Sequence, residues 1–387
     1  MKIAVFTDTY FPQVNGVVTC ISDSVRVLSR NNSIVLFAPG GKKLRTEKRS
    51  KNFRIRWVPA KQFPFYEGYR ISSLNYKRVS SLLDKENPDI VHAHAPVLLG
   101  LQGIIAAKRR GIPVVATYHT HYPDYVPHLL NGKLPKPFES ISEYTVKKLI
   151  RHAFGMADAV TAPTRELVSE LRSYGVENAA YLPNGVDLKK FTRDPEKGSE
   201  FREQFGIRKT DKVVLYLGRI SFEKKPDVLL QAFRMIEEPG RVLVIAGKGP
   251  YMEEMKRLAH ALELERVVFT GYLEDLTAAY SAADIFASAS DTETFGLTFI
   301  EAMHTGLPVI GVSRLGAKEV IENGKTGILV EPDNVLKLAG AMDGLLKNDK
   351  KRRKMALEAR KSSEEYSLKK STRELMKIYR GLAGEVD

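Results

Sequence analysis

Glu293 and Glu301 stand eight positions apart in "ETFGLTFIE", with Phe295, Gly296 and Leu297 between them and no basic residue. A helix is expected to begin near Phe295 or Gly296, which puts Glu293 in the preceding loop and Glu301 inside the helix. Were all eight steps helical, the two would be about 12 Å apart along the axis. The unpaired N–H groups of a helix start lie between the carboxylates and suit an anion. Hydroxyls, then phosphate, then hydroxyls would match that order in a ligand, and a nucleotide sugar has it: hexose, diphosphate, ribose. On composition alone, one acidic cap and one solvated helix glutamate describe the pair better.

Other residues supply the missing positive charge. Arg219 and Lys224 follow an expected strand in "LGRISFEKKPD", with Lys225 adjacent. A guanidinium grips phosphate oxygens with a fork, and an ammonium adds a point charge. Near the start, Asn15-Gly16 leads into a helical pattern, and a glycine there would let a phosphate approach the backbone. An ordinary glycine turn reads the same way. No G-x-G-x-x-G occurs here, which speaks against a dinucleotide oxidoreductase. His92/His94 and His119/His121 alternate at strand ends, so each pair shares a face. No Asp, Glu or Cys completes a regular metal set beside them, and one histidine donating to an anionic substrate is the better reading. Gly324-Lys325-Thr326 lacks the first glycine of a P-loop, because Glu319 occupies that place.

The elements that must carry these residues repeat twice. Strands are expected at 2–8, 33–39, 89–95, 113–119 and 158–164, with helices at 17–30 and 76–85 between them. The rhythm restarts with strands at 212–220, 241–249, 266–273, 283–290 and 307–313. Alternating strands and helices indicate parallel sheets covered on both faces. The expected fold class is α/β, two doubly wound Rossmann-like domains: 1–183 on the acceptor side, 184–365 for the donor, and a tail helix at 366–387 packing back on the first. Residues 181–206 read as the linker. Ligands of such sheets bind beyond the carboxyl strand ends, so a cleft between the domains is expected.

Bulk composition sets the outer limits. With 387 residues, 43% of them hydrophobic, the chain has the size of two domains. The single cysteine, Cys20, excludes an intramolecular disulfide and suits a reducing compartment. No secretory signal is evident, and the run 96–107 falls short of the roughly 20 apolar residues of a spanning helix. The chain therefore reads as soluble. The net charge is +14; residues 1–183 hold 26 basic against 14 acidic groups, leaving 34 against 32 for the rest. A surplus so concentrated points to an anionic partner for the first half, nucleic acid or an acidic lipid surface.

Taken together, the Asn-Gly-Val turn, "HAHAP", "TYHT", "ADAVTAPT", "LPNGVD", "GRISFEK", "IAGKGP", "GLPVIG" and the E-x7-E pair resemble the retaining glycosyltransferases of family 4, with the GT-B fold. The resemblance implies that Glu293 contacts the donor hexose and Glu301 the ribose. It places Arg219, Lys224 and Gly16 on the diphosphate, with Phe295, Gly296 and Leu297 in the same donor site. It sets His119 beside the reacting sugar and Tyr272 or Leu273 at the base. Lys225 departs from the family, many members of which have glycine there. The activity implied is a front-side, retaining hexosyl transfer with no metal and no further cofactor, the donor being a nucleotide diphosphate sugar, UDP before GDP. Retaining hydrolases, by contrast, flank the bond with a carboxylate pair.

The acceptor is expected on the basic first half. Lys42, Lys43, Arg45, Lys48, Arg49, Lys51, Arg54, Arg56 and Lys61 crowd 42–61, opposed only by Glu47. In 138–154, Phe138, Ile141, Thr145 and Leu149 share a helical stripe near Lys147, Lys148 and Arg151, which suits an anionic bilayer or the domain interior. "TYHTHYPDYVPHL" is similar to a segment of diacylglycerol glucosyltransferases. Hence the expectation is a cytoplasmic enzyme, peripheral on the inner face of the cell membrane, glycosylating a lipid and binding no nucleic acid. A soluble family 4 enzyme acting on a sugar or sugar phosphate shares every donor residue. A nucleic-acid-binding α/β protein would explain the charge but leave both glutamates idle.

Overall fold

A computed structural model describes residues 1–13, 15–62, 70–123 and 136–384, with only the backbone for 136–143. The chain forms two compact units, Met1–Gly185 with Leu368–Asp387, and Val186–Ser367.

The first unit is built on an eight-stranded sheet. In chain order its strands are β1 (Lys2–Thr7), β2 (Ser33–Pro39), β3 (Arg45–Lys48) and β4 (Phe53–Val58), then β7 (Ile90–His94), β8 (Val114–Thr117), β9 (Ala159–Ala162) and β10 (Ala179–Tyr181). A separate hairpin pairs β5 (Ala60–Gln62) with β6 (Arg70–Ser72). The order across the sheet is β10-β9-β8-β7-β1-β2-β4-β3. Every pairing is parallel except that of β3 with β4. Strands buried on both faces need continuous apolar runs, and β1 and β2 have them. The helix Leu368–Ala383 lays Leu375 and Tyr379 into this unit's core beside Val18, Ile21 and Val25 of the helix Gly16–Leu28.

The second unit carries six parallel strands: β11 (Lys212–Leu217), β12 (Arg241–Ala246), β13 (Val267–Gly271), β14 (Ile285–Ala287), β15 (Val309–Val312) and β16 (Gly327–Val330). Their order is β13-β12-β11-β14-β15-β16. The reversal beside β11 is the switch point at which open α/β sheets place ligands.

Two expectations need correction here. The stretch 181–206 is not a plain linker: it holds a 3-10 turn, Leu188–Phe191, and a helix, Pro195–Gln204. Val186, Leu188, Phe191 and Phe201 are buried in the second unit's core, so its apolar content outweighs its charge. In the basic run 42–61, β3 and β4 extend the sheet. Glu86 at the end of the helix Tyr76–Glu86, with its carboxylate only 2% exposed, takes ion pairs from Arg54 and from Arg56 at 2.7 Å. Glu47 is therefore not the sole opposing acid.

Candidate active site

In the second unit, the loop after β11 and the loop after β12 are laced together. The Ile220 amide donates to the Lys248 carbonyl at 3.0 Å, and the Tyr251 amide returns to the Ile220 carbonyl at 3.0 Å. Only glycine tolerates that approach. A Cβ on Gly247 would lie 1.8 Å from the Gly218 oxygen, and one on Gly249 would lie 2.0 Å from the Ile220 oxygen. This lacing fixes half-exposed Arg219, whose carbonyl accepts from the Tyr216 hydroxyl at 3.0 Å.

Lys224 ends a short 3-10 turn, and its Nζ donates to Glu293 Oε1 at 2.6 Å. Neighbouring Lys225 turns elsewhere. It donates to Asp291 Oδ2 at 2.8 Å and to Asp333 Oδ1 at 2.7 Å. Burial alone would lower the pKa of its ammonium, but these two carboxylates outweigh that and raise it. Its backbone is left-handed, with φ of 48°, the conformation a glycine adopts at no steric cost. Lys224 and Lys225 thus take separate carboxylate partners.

The helix after β14 runs Leu297–Thr305, beginning one to two residues later than expected. Gly296 precedes it with φ of 79°, and a Cβ there would lie 2.6 Å from Phe299 Cδ2. No side chain caps this helix start. With only the steps from Leu297 onward helical, Glu301 sits in the second turn and Glu293 in the loop. Glu301 is buried, and its Oε2 accepts from the Tyr280 hydroxyl at 2.8 Å. Burial and then the Glu301 charge push the Tyr280 phenol well above its usual value, so it stays a donor.

Two supports of this site escaped the sequence reading. Tyr280 had no local signature, since its role depends on a helix 21 positions further on. Gly316 approaches so closely that a Cβ on it would lie 2.4 Å from Phe295 Cα, and its amide donates to the Glu293 carbonyl at 2.7 Å. The left-handed Leu315 before it, φ 46°, marks the tight turn that makes this approach. Of the two residues expected at the base, Tyr272 is 53% exposed, and Leu273 packs partly against the core.

The first unit holds the remaining candidates. Asn15 caps the helix Gly16–Leu28, accepting from the Val18 amide at 2.9 Å, and Gly16 is exposed at its first turn. His119 is 3% exposed, and its Nε2 lies 2.8 Å from His94 Nδ1. His92 Nδ1 meets the Tyr379 hydroxyl at 2.5 Å, and its Nε2 meets Thr117 Oγ1 at 2.7 Å. Burial depresses all three imidazoles, His92 to about 3 and His119 to about 4, so they are neutral at pH 7. His121 instead pairs with Glu170 at 2.9 Å. Asp8, also unremarked in the sequence, accepts from the amides of Val97, Leu98, Leu99 and Gly100 and caps the helix Leu99–Lys108. Burial pushes its carboxyl up, and those amides pull it back only in part.

In the helix Lys136–Gly155, Ile150, Ala153 and Phe154 are buried, whereas Thr145 and Leu149 are exposed. Phe138 and Ile141, expected on the same stripe, lie outside the described side chains. Among the described residues, no cluster of His, Cys, Asp or Glu could hold a metal, and no helix is long and apolar enough to cross a membrane.

Residues 14–190 match the family described as Glycosyltransferase Family 4, and residues 198–362 that of Glycosyl transferases group 1. The chain is 34% identical to an alpha-monoglucosyldiacylglycerol synthase of Streptococcus pneumoniae, over 88% of this chain and 77% of that one. The chain belongs to glycosyltransferase family 4. Another relative is a D-inositol 3-phosphate glycosyltransferase of Xylanimonas cellulosilytica, 32% identical over 75% of this chain and 71% of that one. The fold is GT-B. It is shared with HepE of Anabaena, solved in complex with UDP-glucose, at a TM-score of 0.78 and 20% identity, covering 98% of this chain and 100% of that one.

Proposed function

We propose that this family 4 glycosyltransferase moves a hexose from a nucleotide diphosphate sugar, UDP-glucose before a GDP-hexose, onto the hydroxyl of a membrane lipid of the diacylglycerol type. The configuration is retained and no metal takes part. The observation that carries the donor half is the Lys224–Glu293 contact beside a helix start that no side chain caps. A cation, backbone donors and a carboxylate so grouped support a site for a diphosphate and a hexose. The likeness to a synthase of alpha-monoglucosyldiacylglycerol supports the lipid.

In this reading Glu293 accepts from hexose hydroxyls and Glu301 from the ribose, with Tyr272 or Leu273 at the base through backbone contacts. Arg219, Lys224 and the Leu297 helix start take the diphosphate; Phe295 and Gly296 shape the same loop. The acceptor oxygen bonds to the anomeric carbon as the carbon–oxygen bond to the β-phosphate breaks. The acceptor proton passes to a phosphate oxygen. Arg219, Lys224 and the helix amides hold the charge that builds on the diphosphate. The enzyme works at the inner face of the cell membrane, through the basic residues of 42–61 and the exposed Thr145–Leu149 side of the helix Lys136–Gly155.

A second reading, transfer to a soluble sugar phosphate, is favoured by the inositol phosphate relative. Transfer with chelator present separates the two. UDP- and GDP-hexoses are offered with diacylglycerol in phosphatidylglycerol vesicles, then with inositol phosphate. Labelled lipid from one donor, lost in Glu293→Gln and Arg219→Ala, supports the proposal. Label on the soluble acceptor alone overturns the lipid, and activity lost with chelator overturns metal independence.

A further inference from the structure

A groove of about 770 Å³ runs along the first unit, between the helix Gly16–Leu28 and the turn joining β3 to β4. Its walls carry four cations: Arg26 in the last turn of the helix, Arg30 just past its end, and Arg49 and Lys51 on the turn opposite. Tyr10 and Phe11 line it as well, and Phe11 is 42% exposed. Among the described residues no acid lines the groove.

The two walls are tied together. Asn52 Nδ2 donates to the Ser29 carbonyl at 3.1 Å, and the Asn52 carbonyl accepts from the Ile34 amide at 2.7 Å. The turn closes on itself through the Arg49 and Ser50 amides, which donate to the Phe53 carbonyl at 2.9 and 3.1 Å. The cations are thus presented from a fixed frame. Arg26 reaches Asp23 at 3.1 Å and Arg49 reaches Glu47 at 2.8 Å, both acids lying outside the groove. Arg30 and Lys51, on opposite walls, have no side-chain partner among the described residues. A helix C-terminus favours basic residues, which accounts for Arg26 and Arg30. It does not account for Arg49 and Lys51 facing them, nor for the aromatic pair in the same groove.

We infer that this groove binds a phosphate group borne by an anionic phospholipid, with Arg30 and Lys51 on the phosphate oxygens and Phe11 against the apolar part. Fixed cations next to an exposed aromatic fit an amphipathic anion better than a free ion. The inference deepens the lipid-acceptor reading and rests on it for choosing a membrane lipid over a soluble phosphate. None of the residues lining the groove is among the donor residues named above.

The test is vesicle co-sedimentation without donor, using phosphatidylcholine alone or mixed with phosphatidylglycerol. Wild type is compared with Arg30→Glu/Lys51→Glu and with a charge-matched control on the second unit, Lys350→Glu/Lys354→Glu. Thermal melts confirm that each variant is folded. A loss of roughly tenfold or more on phosphatidylglycerol vesicles in the groove variant, absent in the control, supports the site. Equal losses in both would mean that net charge alone binds, and would overturn it. Soluble glycerol phosphate binding to wild type but not to the groove variant, with vesicle binding unchanged, would overturn the lipid source. Preference for a single-stranded oligonucleotide over vesicles, abolished in the groove variant, would assign the groove to nucleic acid instead. Transfer to diacylglycerol in neutral detergent micelles is measured in parallel. Turnover there without groove binding would sink this inference alone, and groove binding without turnover would sink only the lipid-acceptor reading.

Discussion

Lys224 Nζ and Glu293 Oε1 lie 2.6 Å apart, although 69 positions separate them in the chain, and both side chains are about a fifth exposed. One residue follows β11 and the other follows β14, two adjacent strands at the switch point of the sheet. The pair therefore belongs to a strand-end site and is not an incidental surface contact. As a stabilising ion pair it is worth no more than about 1 kcal/mol.

Turnover should feel this pair far more than stability does. With Lys224 on the diphosphate as proposed, Lys224→Ala is expected to lower kcat/KM by about 10²–10³-fold. Glu293→Gln should lower it too. Because the side chains touch, the double variant should lose less than the product of the single losses. Multiplicative losses in steady-state kinetics would show that the two act independently.

Lys225 should tolerate change. Lys225→Gly relieves a left-handed backbone while losing two ion pairs, so stability should shift by less than about 1 kcal/mol. Donor KM should stay within about twofold of wild type, since no phosphate contact is assigned to it. A tenfold rise in KM would transfer the phosphate role from Lys224 to Lys225.

Gly316 has no room for a methyl group. Gly316→Ala drives a Cβ to 2.4 Å from Phe295 Cα and should cost about 1–3 kcal/mol while displacing the Glu293 loop. Gly340→Ala, in the helix Val335–Lys347 with nothing within 4 Å, is the control. It should be neutral or stabilising by about 0.5–1 kcal/mol. Denaturant melts of the two variants, with donor titration of each, check this contrast.

Acid should destabilise the first unit through its buried histidines. His92 and His119 are depressed to about 3 and about 4 from 6.5, and His94 lies well below 6.5. The unfolded chain therefore binds more protons than the folded one between those values. The stability they contribute is complete above pH 6.5 and is lost as the pH falls towards 4 and then 3. Urea midpoints should drop across that window. A flat profile between pH 7 and 4.5 would show that these imidazoles are not buried and neutral.

Tyr379→Phe removes the hydroxyl that faces His92 Nδ1 and should cost about 1–3 kcal/mol. Far-UV circular dichroism should keep the helix Leu368–Ala383, because Leu375 remains buried. Wild-type stability in this variant would mean that the hydroxyl holds nothing.

What the sequence determined by itself was whatever depends on neighbours a few positions away. Apolar runs such as 2–7 and 212–217 announced buried parallel strands, and the glycine at 296 announced the helix start that follows β14. Asn15 before Gly16 signalled a helix start, because an Asx side chain reaches an amide three positions on. The hairpin of β3 and β4 is not legible locally although Phe53, Ile55 and Trp57 alternate, because Arg54 and Arg56 fill the positions between them. Tertiary structure alone decided the rest. Asp8 finds its four amides 89 to 92 positions away, Glu86 gathers Arg54 and Arg56 from a strand, and Tyr379 reaches His92 from the last helix. Gly316 matters only because another loop passes against it. Such partners follow from which strands neighbour which, and burial then makes each contact obligatory, since an unpaired polar group away from water costs more than a paired one returns.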